Sequence, residues 1–229
     1  MRQTIDYSMM GVDQVVHLCL QRSNRIKKLL PLRSRTKVGW EESMRAAATD
    51  HRQTILEAVT GEIEAMFAKI APQIAAVAPA RFADLGCGQA FIDLMIYREF
   101  GCDIILIDIE QSGDIHFGFA ATGAGYADLA NARAFLVANG VPDTAITTIN
   151  PNHSPLDALA PVDMVMSLIS CGFHYPVDTY DAFFRTQVRK AILLDCRRST
   201  AAESILARYG LVSNIGREKK HDRLLCLKP

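Results

Sequence analysis

The 229-residue sequence lacks the features that mark several large classes of protein. It has no stretch of about 18 uncharged apolar residues, which excludes a membrane-spanning helix. Residues 1–14 carry Arg2, Asp6 and Asp13 and have no continuous apolar core, which argues against a signal peptide. The 14 glycines and 9 prolines follow no repeat, which excludes collagen-like and low-complexity chains. We therefore expect a cytoplasmic protein that does not associate with a membrane.

Excess charge of either sign is also missing, because 25 Lys and Arg residues balance 25 Asp and Glu residues. Hydrophobic residues make up 49% of the chain and charged residues 22%, which excludes an intrinsically disordered protein. Paired cysteines at the short spacing of a zinc or redox site do not occur, so we expect free thiols and no metal. The scattered cysteines are Cys19, Cys87, Cys102, Cys171, Cys196 and Cys226.

The residue pattern changes near residue 78. Before it, apolar residues recur at helical spacing over residues 12–30 and 41–70, and Pro72 and Pro79 bracket the predicted connector to the next region. We therefore predict a helical N-terminal appendage or lid at residues 1–78, followed by a second domain at residues 79–229.

Short apolar strands alternate with helices after residue 78, which predicts a doubly wound α/β sheet with both faces covered. The predicted strands are 81–85, 103–108, 145–149, 163–168 and 191–196, and the predicted helices are 90–100, 126–139, 178–189 and 199–209. Two further strands, 211–215 and 223–227, are too close in sequence to enclose a helix and must pair antiparallel. The sheet is therefore mostly parallel and ends in an antiparallel hairpin.

A glycine-containing loop carries most of the functional information. Residues 82–91 read Phe-Ala-Asp-Leu-Gly-Cys-Gly-Gln-Ala-Phe, so a strand runs through Gly86 and Gly88 into a helix. Such glycines let the backbone approach a ligand, and the helix N-terminus offers free N–H groups. About twenty residues later the second strand ends at Asp108, whose carboxylate can accept both hydroxyls of a ribose. Phe91 replaces the third glycine of a dinucleotide fingerprint, and no Gly-Lys-Ser/Thr follows, which argues against NAD, FAD and P-loop chemistry.

Residues 84–90, Asp-Leu-Gly-Cys-Gly-Gln-Ala, resemble the first motif of the class I S-adenosylmethionine-dependent methyltransferases. That motif reads acid-x-Gly-x-Gly-x-Gly, and Ala90 replaces its third glycine. Asp108 matches the ribose-binding acid of the family, residues 162–167 resemble its fourth-strand motif, and the terminal hairpin matches its reversed last strand. The resemblance covers residues 80–229 and implies a Rossmann-like fold, with S-adenosylmethionine as cofactor and S-adenosylhomocysteine as product.

The resemblance also implies residue roles. The backbones of Gly86 and Gly88 would pack on the methionine part of the cofactor, while Asp84 supports the loop. The ribose would bind Asp108, and the adenine would lie against Ile109, with its edge on Asn150 or its competitor Asn152. The implied cofactor-binding set is Asp84, Gly86, Cys87, Gly88, Asp108, Ile109, Asn150 and Ser167.

The acceptor is expected beyond the fourth and fifth strands, because ligands bind at the carboxyl ends of parallel strands. His174 is the candidate general base, since its ordinary pKa is near neutrality, and Tyr175 is a candidate for positioning the acceptor. Arg197 and Arg198 are candidates for holding an anionic acceptor. These side chains equally fit structural roles, as a turn hydrogen bond for His174 and as salt bridges for the arginines. We expect methyl transfer to a small molecule at a hydroxyl oxygen, since the Asn/Asp-Pro-Pro-Tyr of many nitrogen-methylating relatives is absent.

Two other functions remain open at this stage. Seven basic residues without an intervening acid stand between Arg22 and Lys37, and they fit RNA methylation as well as a solvated surface. The third possibility is a protein that binds the cofactor without turnover. The sequence does not predict the oligomeric state.

Overall fold

A computed structural model describes residues 4–22, 26, 28–30, 37–110 and 127–229. These residues form seven α-helices and seven β-strands, with 3₁₀ turns between some of them. The helices are α1 (Val12–Gln21), α2 (Lys37–Asp50), α3 (Arg52–Val77), α4 (Phe91–Phe100), α5 (Leu129–Ala138), α6 (Asp181–Thr186) and α7 (Ala202–Leu206). The strands are β1 (Arg81–Leu85), β2 (Asp103–Ile107), β3 (Ile146–Ile149), β4 (Val162–Ser167), β5 (Val188–Arg197), β6 (Leu211–Arg217) and β7 (His221–Leu227).

The seven strands form one sheet in the order β3-β2-β1-β4-β5-β7-β6. Strands β1 to β5 pair in parallel, whereas β7 pairs antiparallel with both β5 and β6. The strand order runs from β1 to β3 towards one edge of the sheet and from β4 onwards towards the other edge. Ligands bind in open α/β sheets at such a switch point, here between β1 and β4. The predicted Rossmann-like fold, mostly parallel with an antiparallel C-terminal hairpin, is confirmed.

Side chains alternate between the two faces of each strand, so the sheet separates two hydrophobic cores. Phe82 and Ile104 point into a core shared with the N-terminal helices, α4 and α5. Leu85 and Ile105 point into a second core, which is closed by α6 and α7. Because both faces are covered, the central strands read as continuous apolar runs in the sequence.

The N-terminal helices pack directly on the sheet. Buried residues of α1, α2 and α3 belong to the same hydrophobic cluster as Phe82 of β1. Before α1, the ring of Tyr7 stacks on Phe91, which stacks in turn on Phe135 at 4.8 Å. One hydrophobic core contains residues from both sides of residue 78, so it does not test a domain boundary there. The division into domains at residues 1–78 and 79–229 stays a prediction.

The connector predicted around Pro72 is wrong, because α3 continues through Pro72 to Val77. Proline removes one hydrogen bond from a helix, here about a turn before the helix ends. Ile70 and Ile74 lie on either side of Pro72 and are both fully buried, so packing on the core holds this last turn in helical form. Within the described ranges, no helix is long and apolar enough to cross a lipid bilayer.

Candidate functional site

The loop between β1 and α4 has the backbone conformation that its glycines allow. Gly86 and Gly88 have φ angles of +83° and +57°, and Ala90 also lies in the left-handed region at +57°. A side chain at Gly86 would overlap Ser170, and a Cβ at Gly88 would lie 3.0 Å from the amide nitrogen of Gln21. The segment after β4 and the C-terminal end of α1 therefore lie close to the loop.

Asp108 holds this loop in place. Its Oδ2 accepts a hydrogen bond from the backbone N–H of Gly88 (3.2 Å), and its Oδ1 accepts one from Glu110 (3.1 Å). Burial raises the pKa of Asp108 to about 6, although these hydrogen bonds oppose the shift. The structure therefore places the predicted ribose-binding acid between the glycine loop and the residues that follow β2.

Asp84 lies at the end of β1, just before the loop, and its support of the loop stays a prediction. Asp84 is buried and its Oδ1 has no hydrogen-bond partner among the described residues, while burial and the nearby carboxyl group of Asp93, in the first turn of α4, raise its pKa well above the ordinary value. The N–H groups of Gly86 and Cys87 turn instead towards the carbonyl of Ile107, at 2.7 and 3.4 Å. Among the described side chains, Asp108 is the one that binds a loop N–H, at Gly88.

A cleft of about 490 Å³ lies at the carboxyl ends of β2 and β3, and no residue of the glycine loop is among the described residues that line it. The carboxylates of Glu110 and Asp128 and the imidazole of His153 give it polar walls. The described residues that line the cleft are Ile109, Glu110, Ala127, Asp128, Asn150, Asn152 and His153. Ile109, Asn150 and the competitor Asn152 were predicted from the sequence, whereas Glu110, Asp128 and His153 were not.

Asn150 bridges the two strand ends that form the cleft. Its side-chain N–H groups donate to Glu110 (3.0 Å) and to the carbonyl of Ile109 (3.3 Å), while its oxygen accepts from the backbone of Asn152. Glu110 in turn accepts from the N–H of Leu129 at the start of α5. These contacts fix the shape of the cleft, and the choice between Asn150 and Asn152 for an adenine edge stays open.

Only Ile109 and Asn150 of the eight predicted cofactor residues line the cleft, and Ser167 and Cys87 are buried outside it. Ser167 is fully buried, where its hydroxyl donates to the carbonyl of Leu85 (2.6 Å) and accepts from the N–H of Cys171 (2.9 Å). It therefore ties the end of β1 to the loop after β4. Cys87 is also buried, and burial raises its pKa well above the ordinary value, which keeps the thiol protonated and unreactive.

The loop after β4 brings aromatic and hydroxyl groups towards Gly86. The hydroxyls of Ser170 and Tyr175 are 3.2 Å apart, and burial raises the pKa of Tyr175 well above its usual range. The ring of Tyr180, which sequence reasoning missed, meets Tyr175 edge-on, and its hydroxyl interacts electrostatically with Asp108. His174 is half-buried beside Phe173, with ring centroids 5.0 Å apart.

The two arginines after β5 have different surroundings. Arg197 donates through Nε to the carbonyl of Phe173, and its guanidinium lies 4.6 Å from the centre of that ring. Arg198 forms a salt bridge with Asp222 (3.2 Å) and donates to the carbonyl of Glu218. Arg198 is therefore engaged by the β6–β7 hairpin, as the structural alternative predicted.

The basic segment, residues 22–37, lies partly within the described residues. Arg22 is largely buried and lies 3.6 Å from Glu62, whereas Lys28 is exposed. Arg25, Lys27, Arg33 and Arg35 lie outside the described residues, as does the side chain of Lys37. Across the part of the chain that the structure describes, no group of three or more His, Cys, Asp or Glu residues is arranged to hold a metal ion.

No protein-family model and no curated protein matches this chain. Among solved structures, it is similar to a protein of Nostoc punctiforme PCC 73102 provisionally described as an O-methyltransferase, at 13% identity and a TM-score of 0.49. It is also similar to the bifunctional kinase-methyltransferase WbdD (16%, 0.47) and to the methyltransferase domain of bacterial CtHen1-CN (12%, 0.48).

These three matches cover 69%, 73% and 74% of this chain. This chain spans 54% of the Nostoc protein and 39% of WbdD, but 100% of the CtHen1-CN domain. With such identities and TM-scores below 0.5, the likeness is distant. The fold assignment rests on the strand order of this chain's own sheet.

Proposed function

We propose that this protein is an S-adenosylmethionine-dependent methyltransferase. The observation that carries the proposal is the position of Asp108, which joins the glycine loop to the cleft through hydrogen bonds from Gly88 and Glu110. A nucleoside in the cleft would lie beside Ile109 with its ribose hydroxyls at this carboxylate. The methionine part would then extend over the loop towards the segment after β4.

The charges around the site favour this cofactor over a nucleotide with phosphates. Carboxyl groups of Glu110 and Asp128 line the cleft, Asp108 lies between it and the loop, and no Lys or Arg is among the described residues of the lining. Phosphates would be repelled, whereas S-adenosylmethionine, whose sulfonium and ammonium groups outweigh its single carboxylate, would be attracted. The fit agrees with Phe91, whose buried ring fills the packing point where a dinucleotide site needs glycine.

The finer proposal is methyl transfer to a hydroxyl of a small, anionic acceptor. The bound cofactor supplies a methyl group on a positively charged sulfur, which leaves as a neutral thioether when an oxygen attacks in line. His174 would accept the proton that the hydroxyl loses, because it lies on the loop that faces Gly86. Arg197 would hold the anionic group, whereas Arg198 is already paired with Asp222.

The test of cofactor binding compares two carboxylates at opposite ends of β2. Calorimetric titration with S-adenosylhomocysteine should give saturable binding that Asp108→Asn weakens by roughly 10- to 100-fold, the value of a hydrogen bond to a charged group. The matched control is Asp103→Asn, which removes an exposed carboxylate from the other end of the same strand and should leave affinity unchanged. A folded wild-type protein that does not bind S-adenosylhomocysteine would overturn the proposal.

The test of the acceptor uses formation of S-adenosylhomocysteine with matched panels of hydroxybenzoates and aminobenzoates. We expect turnover with hydroxyl compounds, a loss of about 10²- to 10⁴-fold in kcat for His174→Gln, and an unchanged affinity for the cofactor. Turnover with amines alone would contradict oxygen as the target. Full activity of His174→Gln would remove His174 as the base, and cofactor binding without turnover of any acceptor would favour a non-enzymatic role. Salt-sensitive methylation of RNA would favour the basic-segment alternative.

A further inference from the structure

The C-terminal end of α1 brings an amide and a guanidinium to the glycine loop, and neither has a role in the proposed reaction. An ideal Cβ on Gly88 would lie 3.0 Å from Nε2 of Gln21. The side-chain oxygen of Gln21 accepts a hydrogen bond from Nη1 of Arg22, at 3.4 Å. The two side chains therefore connect the loop to a positively charged group.

The packing of α1 fixes where these two side chains begin. Leu18 and Cys19 are buried in the core that α1 shares with β1. The backbone N–H of Arg22 donates to the carbonyl of Leu18 (3.0 Å), so Arg22 closes the last turn of the helix. Gln21 is exposed, so its amide is accessible to a ligand at the loop.

The guanidinium of Arg22 has donors that the described residues leave unfilled. A guanidinium carries five N–H donors, and within the described ranges the only side-chain hydrogen bond of Arg22 is the one to Gln21. Its Nε is buried without a hydrogen-bond partner and lies 3.6 Å from a carboxylate oxygen of Glu62. The side chain of Arg22 is 18% exposed, whereas that of Glu62 is 44% exposed. A largely buried guanidinium with unfilled donors suits a carboxylate, which can accept two of its N–H groups at once.

The cofactor carries one anionic group that needs such a partner. Its methionine end has a carboxylate, which would be repelled by the carboxylate of Asp108. Asp108 accepts from the backbone N–H of Gly88, whereas Gln21 lies where a side chain of Gly88 would point. The acid and the amide therefore meet Gly88 in different directions, and the guanidinium lies beyond the amide. This arrangement separates a place for the ribose hydroxyls from a place for an anion.

We propose that Arg22 and Gln21 bind the carboxylate at the methionine end of the cofactor. Arg22 supplies the positive charge, and the amide of Gln21 holds Arg22 towards the loop and donates a further hydrogen bond. The end of α1 thereby becomes part of the cofactor site. This inference rests on the proposed function, because it needs the methionine end to lie over the loop.

The experiment compares two ligands that differ in this carboxylate alone. Calorimetric titration uses S-adenosylhomocysteine and its decarboxylated analogue, which keeps the adenosine, the thioether and the ammonium group. The wild type should bind S-adenosylhomocysteine about 10- to 100-fold more tightly, the value of hydrogen bonds between charged groups. Without a cation for the carboxylate, the acids of the site would favour the more positively charged analogue instead.

Replacement of Arg22 should remove this preference. Arg22→Met should weaken binding of S-adenosylhomocysteine by about 10- to 100-fold and leave the affinity for the analogue unchanged, whereas Arg22→Lys should keep part of the preference. The matched control is Arg185→Met, which also removes a guanidinium paired with one carboxylate, that of Asp181. Arg185 lies just before β5 and therefore at the opposite edge of the sheet, so both affinities should stay unchanged.

The outcomes separate this inference from the proposed function. Absence of S-adenosylhomocysteine binding by folded wild type overturns both. Wild type that binds the analogue equally well or more tightly overturns the inference alone. So does Arg22→Met with unchanged or equally reduced affinities for the two ligands, which would leave Arg22 as a structural residue at the end of α1.

A second variant covers the case in which Arg22→Met does not fold. Gln21→Leu changes an exposed position and removes the amide that lies at Gly88 and accepts from Arg22. It should weaken binding of S-adenosylhomocysteine by about two- to tenfold and leave the affinity for the analogue unchanged. The same affinity as the wild type for both ligands would overturn the inference.

Discussion

Replacing Asp93 by asparagine should change how the stability of the free protein depends on pH. In the wild type, the folded protein holds the proton of Asp93 up to a pKa of about 7, whereas the ordinary value is 3.8. Between these values the folded state binds more protons than the unfolded state, so the free energy of unfolding falls as pH rises. The contribution of protonated Asp93 to the free energy of unfolding is fully present below about pH 4 and is lost as the pH rises through about 7.

The size of this effect follows from the two pKa values. Each unit corresponds to about 1.4 kcal/mol, so ionising Asp93 in the folded protein costs at most about 4 kcal/mol. Asparagine does not titrate in this range. The difference in unfolding free energy between Asp93→Asn and wild type should therefore grow in favour of the variant, by at most about 4 kcal/mol between about pH 4.5 and 8.5.

Urea denaturation of both proteins at five pH values in this range measures the difference directly. Other groups that titrate here, including Asp108 and the half-buried His17 and His221, are present in both proteins and largely cancel. Asp103→Asn serves as the control and should run parallel to the wild type. A constant difference between Asp93→Asn and wild type across the range would refute the idea that burial raises the pKa of Asp93.

Three further substitutions test packing and charge by chemical denaturation. Arg223→Met should cost about 3–5 kcal/mol, because it strands the fully buried Asp195 that Arg223 binds at 2.7 and 2.9 Å, and Asp195→Leu in the same chain should restore most of the loss. Ala78→Gly should stabilise by about 1 kcal/mol, since Ala78 ends α3 at an exposed position with φ of +46°. Gly86→Ala should cost about 2–4 kcal/mol through strain at φ +83° and overlap with Ser170, and Ser170→Gly should relieve the overlap.

The strands were predictable because burial on both faces makes them continuously apolar. β1 occupies residues 81–85 as predicted, and β4 differs by one residue at each end. β5 is longer than predicted. Its first residues include Arg189 and Lys190, whose side chains are exposed, so this part of the strand lacks the continuous apolar pattern in the sequence. For the same reason the predicted helix at 178–189 is too long, and α6 ends at Thr186.

Two other helix predictions also differ from the structure. The predicted helix at 199–209 contains only the short α7. The one at 126–139 begins at Leu129 in the described part of the chain, where the side chain of Asp128 caps α5 by accepting from the N–H of Asn131. Capping residues and exposed ends depend on single hydrogen bonds, which a hydrophobic pattern does not record.

Part of the site was predictable from spacing. Asp108 and Ile109 follow β2, and the glycines follow β1, so their places at the carboxyl edge follow from the parallel sheet. The position of Glu110 in the sequence did not indicate a place in the site, because a second acidic residue after a strand is common in loops. Its role depends on a φ angle of +61°, which turns its carboxylate back to Asn150 and Leu129. That conformation belongs to the folded loop and has no signature in the residue order.

Asp93 shows why the charge of the site could not be predicted. An acid in the first turn of a helix is ordinary, since it faces the positive end of the helix dipole in water. Here α4 packs so closely on the sheet that the side chain is fully buried against Asp84, which leaves two carboxyl groups where the motif alone predicts one. The side chain that binds a loop N–H is that of Asp108, at Gly88, within the part of the chain that the structure describes. The residue order of the glycine motif therefore does not show which acidic groups surround the loop, because that depends on which helix residue packs next to it.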